Sequence, residues 1–252
     1  MNKFIITEPL VRKLLATVDA GLVAGAGIPE PGKMCVEAAI SYALGEPHSD
    51  GPSCVDPAVR RAKIVLNDAS WSSDMARASG MRRVAIAQLG SRGIINPRKF
   101  IILLTEYTIR EIVPIALRAA ASCNPRHAVS LEEAARRCKQ DGTAAASSAA
   151  YATASAASSA ASSASSAASS AAYAAAADAA CAAAAAAADA ASAAAYAAAS
   201  AAYAADDAAA AYAVKDCILS LSASIMVRAL QECGSPGCDW LWLVDATERE
   251  HP

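Results

Sequence analysis

Between Thr143 and Ala213 the chain runs for 71 residues in which all but about 25 are alanine. The exceptions are almost all Ser, Tyr and Asp, with neither Gly nor Pro among them. Alanine is the strongest helix former, so this run predicts a long helical element whose surface is small and nearly featureless. Such a surface suits close packing and offers little to chemistry. It divides the 252 residues into a first part, 1–142, the tract 143–213, and a carboxyl-terminal part, 214–252.

Alanine supplies most of the 55% hydrophobic content but buries little area per residue, so a core of large side chains has to come from the two flanks. Charge is unevenly shared: residues 1–142 hold 19 Lys/Arg against 14 Asp/Glu, and residues 143–252 hold 3 against 10. The flanks therefore attract each other weakly. At the amino terminus, Phe4-Ile5-Ile6 is stopped by Thr7, Glu8 and Pro9, which is too short for an export signal. The tract is long enough to cross a bilayer but poor in Leu, Ile, Phe and Val, so the reading is a cytoplasmic protein with no membrane partner. Eight cysteines without CxxC spacing fit reduced, partly buried thiols.

The first part is punctuated as a series of helices. Thr7 caps one through Asp19, and Pro31-Gly32 opens a second from Lys33 to Leu44, closed by Gly45. Asp56-Pro57 starts a third, through Asn67, and Ser73-Asp74 a fourth that runs to Leu89 or Gly90 with an interruption at Gly80. Asn96-Pro97 begins a fifth, whose apolar stripe of Phe100, Ile101, Leu104, Ile109 and Ile112 precedes a break or kink at Pro114. Ser130 and Glu133 read as a capping box for the last, which Gly142 ends. No stretch alternates at period two, so the expected fold class is all-α without a sheet.

Within the tract, positions 148, 159, 170, 181, 192 and 203 form an unbroken 11-residue series of non-alanine residues. Three turns of helix take 11 residues, so this spacing places one polar line on one side and an alanine face on the other. Tyr151, Tyr173, Tyr196, Tyr203 and Tyr212 are its only large residues, and they read as anchors to a neighbouring helix or a partner chain. In the last part, Val214, Ile218, Leu221, Ile225 and Leu230 mark a core-facing helix that Gly234 ends. The segment Asp239-Trp-Leu-Trp-Leu-Val244 is too apolar to stand in water, so Trp240 and Trp242 are expected to anchor it on the first domain. That docking within one chain requires the intervening helix to reverse once.

Sites for chemistry are weakly signalled. Cys35 falls in the first turn of an expected helix, where the dipole and Lys33 would lower its pKa, but no spacing indicates a partner base. Cys123 with His127, and His48 with Cys54, could supply metal ligands, although neither spacing is a recognised knuckle, and no metal or other cofactor is expected. Asp68, Glu106 and Glu111 read more simply as exposed helix charges. The stretch from Met75 through Gly80 to Leu89 carries the small residue, turn glycine and apolar positions of a helix-turn-helix, with Arg82, Arg83 and Gln88 on its reading helix.

The stretch Pro31-Gly-Lys-Met-Cys-Val-Glu-Ala-Ala-Ile-Ser-Tyr-Ala-Leu-Gly-Glu-Pro-His48, with Leu66-Asn-Asp-Ala-Ser-Trp-Ser-Ser73 and Pro236-Gly-Cys-Asp-Trp-Leu241, resembles uncharacterised alanine-rich proteins of bacteria and their phages. That resemblance implies flanks forming one unit around a variable insert, and carries no activity. The tract by itself resembles the alanine-rich helical antifreeze proteins, with Ser, Asp and Tyr where threonine is typical. The expected function is a non-enzymatic structural or interaction role with homo-oligomerisation through the tract. DNA binding by the first domain is the alternative, and ice binding by the tract a third.

Overall fold

A computed structural model describes residues 4–123, 125–158 and 208–250. Among the described residues the protein is all-α, with one isolated antiparallel bridge, Gly27 to Met34, and no strand. The helices are α1 (Glu8–Asp19), α2 (Val36–Leu44), α3 (Pro57–Asp68), α4 (Asp74–Ala87), α5 (Pro97–Tyr107), α6 (Val113–Cys123), α7 (Ala128–Asp141), α8 (Ala144–Ser158), α9 (Ala208–Glu232) and α10 (Leu241–Glu250). A π-helical stretch, Thr108–Ile112, joins α5 to α6, and a 3-10 turn, Pro236–Trp240, leads into α10. No helix among the described residues is long and apolar enough to cross a membrane.

The residues form two compact units. One unit comprises 1–69, 73–100 and 223–252, so the carboxyl-terminal segment folds with the amino-terminal part of the chain. In it α4 is central, touching α1, α2, the 3-10 turn and α10. The closure has a specific chemistry. Gly237 donates to Leu89 O at 3.0 Å, and any side chain at Gly237 would overlap the Ile86 carbonyl. Ser235 Oγ donates to Ala87 O at 2.6 Å, and Arg83 pairs with Asp245. The other unit comprises 70–72 and 101–222, and in it α6, α7 and α8 pack together. The first part of the chain is thus divided near residue 100, where an undivided domain over 1–142 was expected.

Four expected boundaries moved. Residues 28–33 hydrogen-bond to one another as a turn around Pro31-Gly32, with Ile28 N donating to Lys33 O at 2.8 Å, so α2 starts only at Val36, with Cys35 as its cap. Gly80 does not interrupt α4, because a mid-helix glycine costs only about 1 kcal/mol while Met81, Val84 and Ile86 are fully buried beyond it. Pro114 does not end its helix either. Lacking an N–H and crowding the carbonyl four residues back, it follows a widened turn in which Val113 N donates to Thr108 O, five residues earlier. The capping box at Ser130 is not formed. Glu133 is drawn to Arg136 at 2.7 Å and Arg137 at 2.9 Å, whose hydrogen bonds hold its carboxyl down at about 2.

The described start of the tract packs by its alanines. Ala146, Ser147, Ala150 and Ala154 of α8 are buried, while Ser148 and Tyr151 lie on the exposed side. Small side chains at these spacings let α8 lie close to α7, where Leu131, Ala134, Ala135 and Cys138 are buried. At the other end, Ile218, Ile225 and Leu230 of α9 are buried as expected, and Val214 is exposed. Tyr173, Tyr196, Tyr203, the remainder of the 11-residue series and the expected reversal lie outside the described residues.

Candidate functional site

The most unusual chemistry sits where the start of α2 meets α3. α2 is sheathed on almost every side: Val36, Glu37, Ala38, Ala39, Ile40, Ser41 and Ala43 are all buried. The Glu37 carboxylate is therefore almost wholly withdrawn from bulk water, and it faces Lys63 of α3. Lys63 is 0% exposed and Glu37 1%, and the Lys63 ammonium contacts Glu37 Oε1. Removing two such charges from water costs several kcal/mol each before their attraction is counted.

Burial pushes the Glu37 carboxyl up and the Lys63 ammonium down, with each partner's charge opposing the shift. The hydrogen-bonding capacity of the pair is unfilled. Glu37 Oε2 and, one turn along α2, Ser41 Oγ are buried without a hydrogen-bond partner among the described residues. Buried polar atoms are rarely left so, and the exceptions concentrate at functional sites.

Around this pair is a small cleft of about 30 Å³, lined among others by Cys35, Glu37, Asp50, Lys63, Asn67 and Asp68. That is room for about two or three water-sized groups. Arg60, Lys63 and Asn67 recur at three- and four-residue steps of α3, so one face of that helix supplies them. Asn67 ties the walls together: its Oδ1 accepts from Val36 N at 3.2 Å, and its Nδ2 donates to Val23 O and Asp68 Oδ1, both at 2.9 Å. Asp68 Oδ1 also accepts from Gly25 N at 2.8 Å. Asp50 is held by Arg60 at 2.7 Å.

Cys35 caps α2, its Sγ accepting from Ala38 N at 3.4 Å. The sequence placed this thiol at a helix start, and it is there. The expected pKa direction is reversed, because burial dominates and pushes the thiol up, against the Ala38 N–H and Lys63, which pull it down. Lys33 pairs with Glu30 at the surface. Glu37, Lys63 and Asn67 escaped the sequence reading because each looks like an ordinary helix charge or amide. The available signal was a glutamate set inside Met-Cys-Val-Glu-Ala-Ala-Ile, where every neighbour is apolar or small.

The other candidates are dispersed. Because α4 is continuous through Gly80, the turn of a helix-turn-helix is absent. Its reading residues are occupied internally: Arg82 donates to Asp19 at 2.7 Å and to Val244 O, Arg83 pairs with Asp245, and Gln88 is fully buried. The carboxyl-terminal segment docks in its unit, but through Leu241, Leu243 and Val244. Trp242 is 53% exposed and Trp240 half-buried, the two rings stacked with centroids 6.4 Å apart, so neither is the buried anchor that was expected. Tyr151 and Tyr212 are 39% and 49% exposed, and Lys215 Nζ lies 5.9 Å from the Tyr212 ring.

Among the described residues no group of three or more His, Cys, Asp or Glu side chains is placed to hold a metal ion. His48 bonds to Gly27 O, Cys54 is buried, and the side chain of Cys123 lies outside the described residues. Asp68 belongs to the cleft, whereas Glu106 pairs with Arg110 at 2.9 Å in the other unit. No family model, no curated protein and no solved structure matches the chain.

Proposed function

We propose that this is a structural or interaction protein whose folded flanks carry an alanine-rich assembly element, and that the element associates with copies of itself. The observation that carries this reading is the packing of α8, where Ala146 and Ala150 are buried against neighbouring helices while Ser148 faces out. Stepping by 11 from Ala146 meets Ala157, Ala168, Ala179, Ala190 and Ala201; stepping from Ala150 meets Ala161, Ala172, Ala183, Ala194 and Ala205. Two of the four buried lines are thus written on in alanine for the length of the tract, and those from Ser147 and Ala154 pass through the equally small Ser158, Ser169 and Ser165. A helix continuing at three turns per 11 residues would present the same close-packing face throughout.

Glutamate at Ala161, Ala172, Ala183 and Ala194 tests this, because a carboxylate on a close helix contact cannot be desolvated cheaply. Sedimentation velocity should register a change from oligomer to monomer with helical content in the flanks retained. An unchanged sedimentation coefficient would set the reading aside.

A further inference from the structure

Beyond assembly, we propose that the cleft between α2 and α3 is a site for a small neutral carboxamide, with Cys35 as nucleophile, Glu37 as proton acceptor and donor, and Lys63 holding the carbonyl oxygen. A buried thiol at a helix start is not in itself a site. What points to a ligand is Glu37, 1% exposed, lining the cleft and carrying a carboxylate oxygen without a hydrogen-bond partner among the described residues.

The ligand class follows from the groups present. Lys63 can only donate, ionised Glu37 can only accept, and the two are in contact. A molecule satisfying both must offer an acceptor and a donor on neighbouring atoms, as the C=O and NH₂ of a carboxamide do. A carboxylate would meet the charge of Glu37, and an ammonium that of Lys63, so the zero net charge of the pair selects a neutral group. Asp50 and Asp68 do not compete, since Arg60 holds the first and Gly25 N and Asn67 the second. The space of about 30 Å³ admits a head group and not a chain.

The chemistry balances without any further reagent than water. As the Cys35 sulfur bonds to the carbonyl carbon, the thiol proton passes to Glu37 and the oxygen gains negative charge beside the Lys63 ammonium. The C–N bond then breaks, Glu37 returns the proton to the departing ammonia, and a thioester remains on Cys35. Water attacks that thioester with Glu37 again taking and returning a proton, which frees the acid and restores the thiol. Burial keeps the thiol protonated at rest and raises the basicity of Glu37, which suits base-assisted attack over a standing thiolate.

The probe is iodoacetamide, a small carboxamide with an electrophilic carbon, compared with iodoacetate of similar size. Labelling of the full chain is mapped by mass spectrometry, with exposed Cys217 as internal control. Cys35 should favour iodoacetamide over iodoacetate by about tenfold or more beyond the ratio seen in the unfolded chain, one lost charge-assisted hydrogen bond being of that order. Added acetamide should protect Cys35 and leave Cys217 unaffected. Glu37→Gln, checked for folding by circular dichroism, should slow Cys35 labelling by about tenfold or more. An unfolded-like reagent ratio at Cys35, or no protection by acetamide, would overturn the proposal. If Glu37→Gln does not fold, the protection experiment on the wild-type chain decides.

Discussion

Replacing Lys63 by methionine removes the ammonium from a place where both partners are almost wholly withdrawn from bulk water, leaving the Glu37 carboxylate without a counter-charge. Breaking a buried pair from one side costs about 3–5 kcal/mol, a large share of the roughly 5–15 kcal/mol that holds a domain folded. The loss should depend on pH. In the variant Glu37 has its folded-state pKa raised still further above its unfolded value. The stability it contributes is therefore present below the ordinary glutamate range and lost as pH rises through the raised value, so the deficit at neutral pH should shrink toward about pH 4. Glu37→Leu with Lys63→Met should return the protein to within about 1 kcal/mol of wild type, or beyond it, since a packed apolar pair carries no desolvation cost. Urea unfolding reports the difference through Trp240 and Trp242 in a Trp71→Phe background, because these two tryptophans belong to the same unit as the pair. A single-variant loss below about 1 kcal/mol, or a double variant worse than either single, would refute the reasoning.

Truncation after Gly237 removes the buried Leu241, Leu243 and Val244, at about 1.5–3 kcal/mol each, and should unfold or aggregate the unit, whereas Trp242→Ser should cost under about 1 kcal/mol because that ring is half in water; thermal melts distinguish the two. Burial pushes the thiols of Cys54 and Cys138 up to about 11. Folded-state values above the unfolded ones mean that stability is full below about pH 9 and falls as pH rises toward 11, by about 3 kcal/mol for each group; urea midpoints measured at pH 8 and pH 10.5 should show the fall, and Cys54→Ala should reduce it by the share of that one thiol. Ala150→Glu, at a fully buried position of α8, should lower the helical signal and the melting temperature, and no change would mean that α8 does not pack by that face.

The sequence made the helices legible where a single residue decides the backbone: Asp56 before Pro57, Ser73 before Asp74, and the glycines after Leu44 and Asp141 all stand at the ends they announced. It misled where a tertiary contact outweighed a local signal. Gly80 and Pro114 are helix breakers by propensity, but burial on both sides carries α4 through the first, and a π turn absorbs the second. The two tryptophans drew attention as the largest apolar groups in their segment, yet the leucines between and beside them take the buried positions. Of the cleft, only Cys35 and Asp68 were singled out from sequence, and Asp68 was read as an exposed helix charge. The burial of Glu37 and Lys63 depends on α2 being covered on nearly all sides, which no spacing within either helix can reveal.

The mass of the full chain in solution, measured by light scattering from low to high micromolar concentration and repeated on a chain lacking residues 159–207, tests the assembly role most directly. The full chain should exceed its 25.5 kDa monomer mass and the shortened chain should not. A full chain that stays at 25.5 kDa across that range would contradict self-association through the tract.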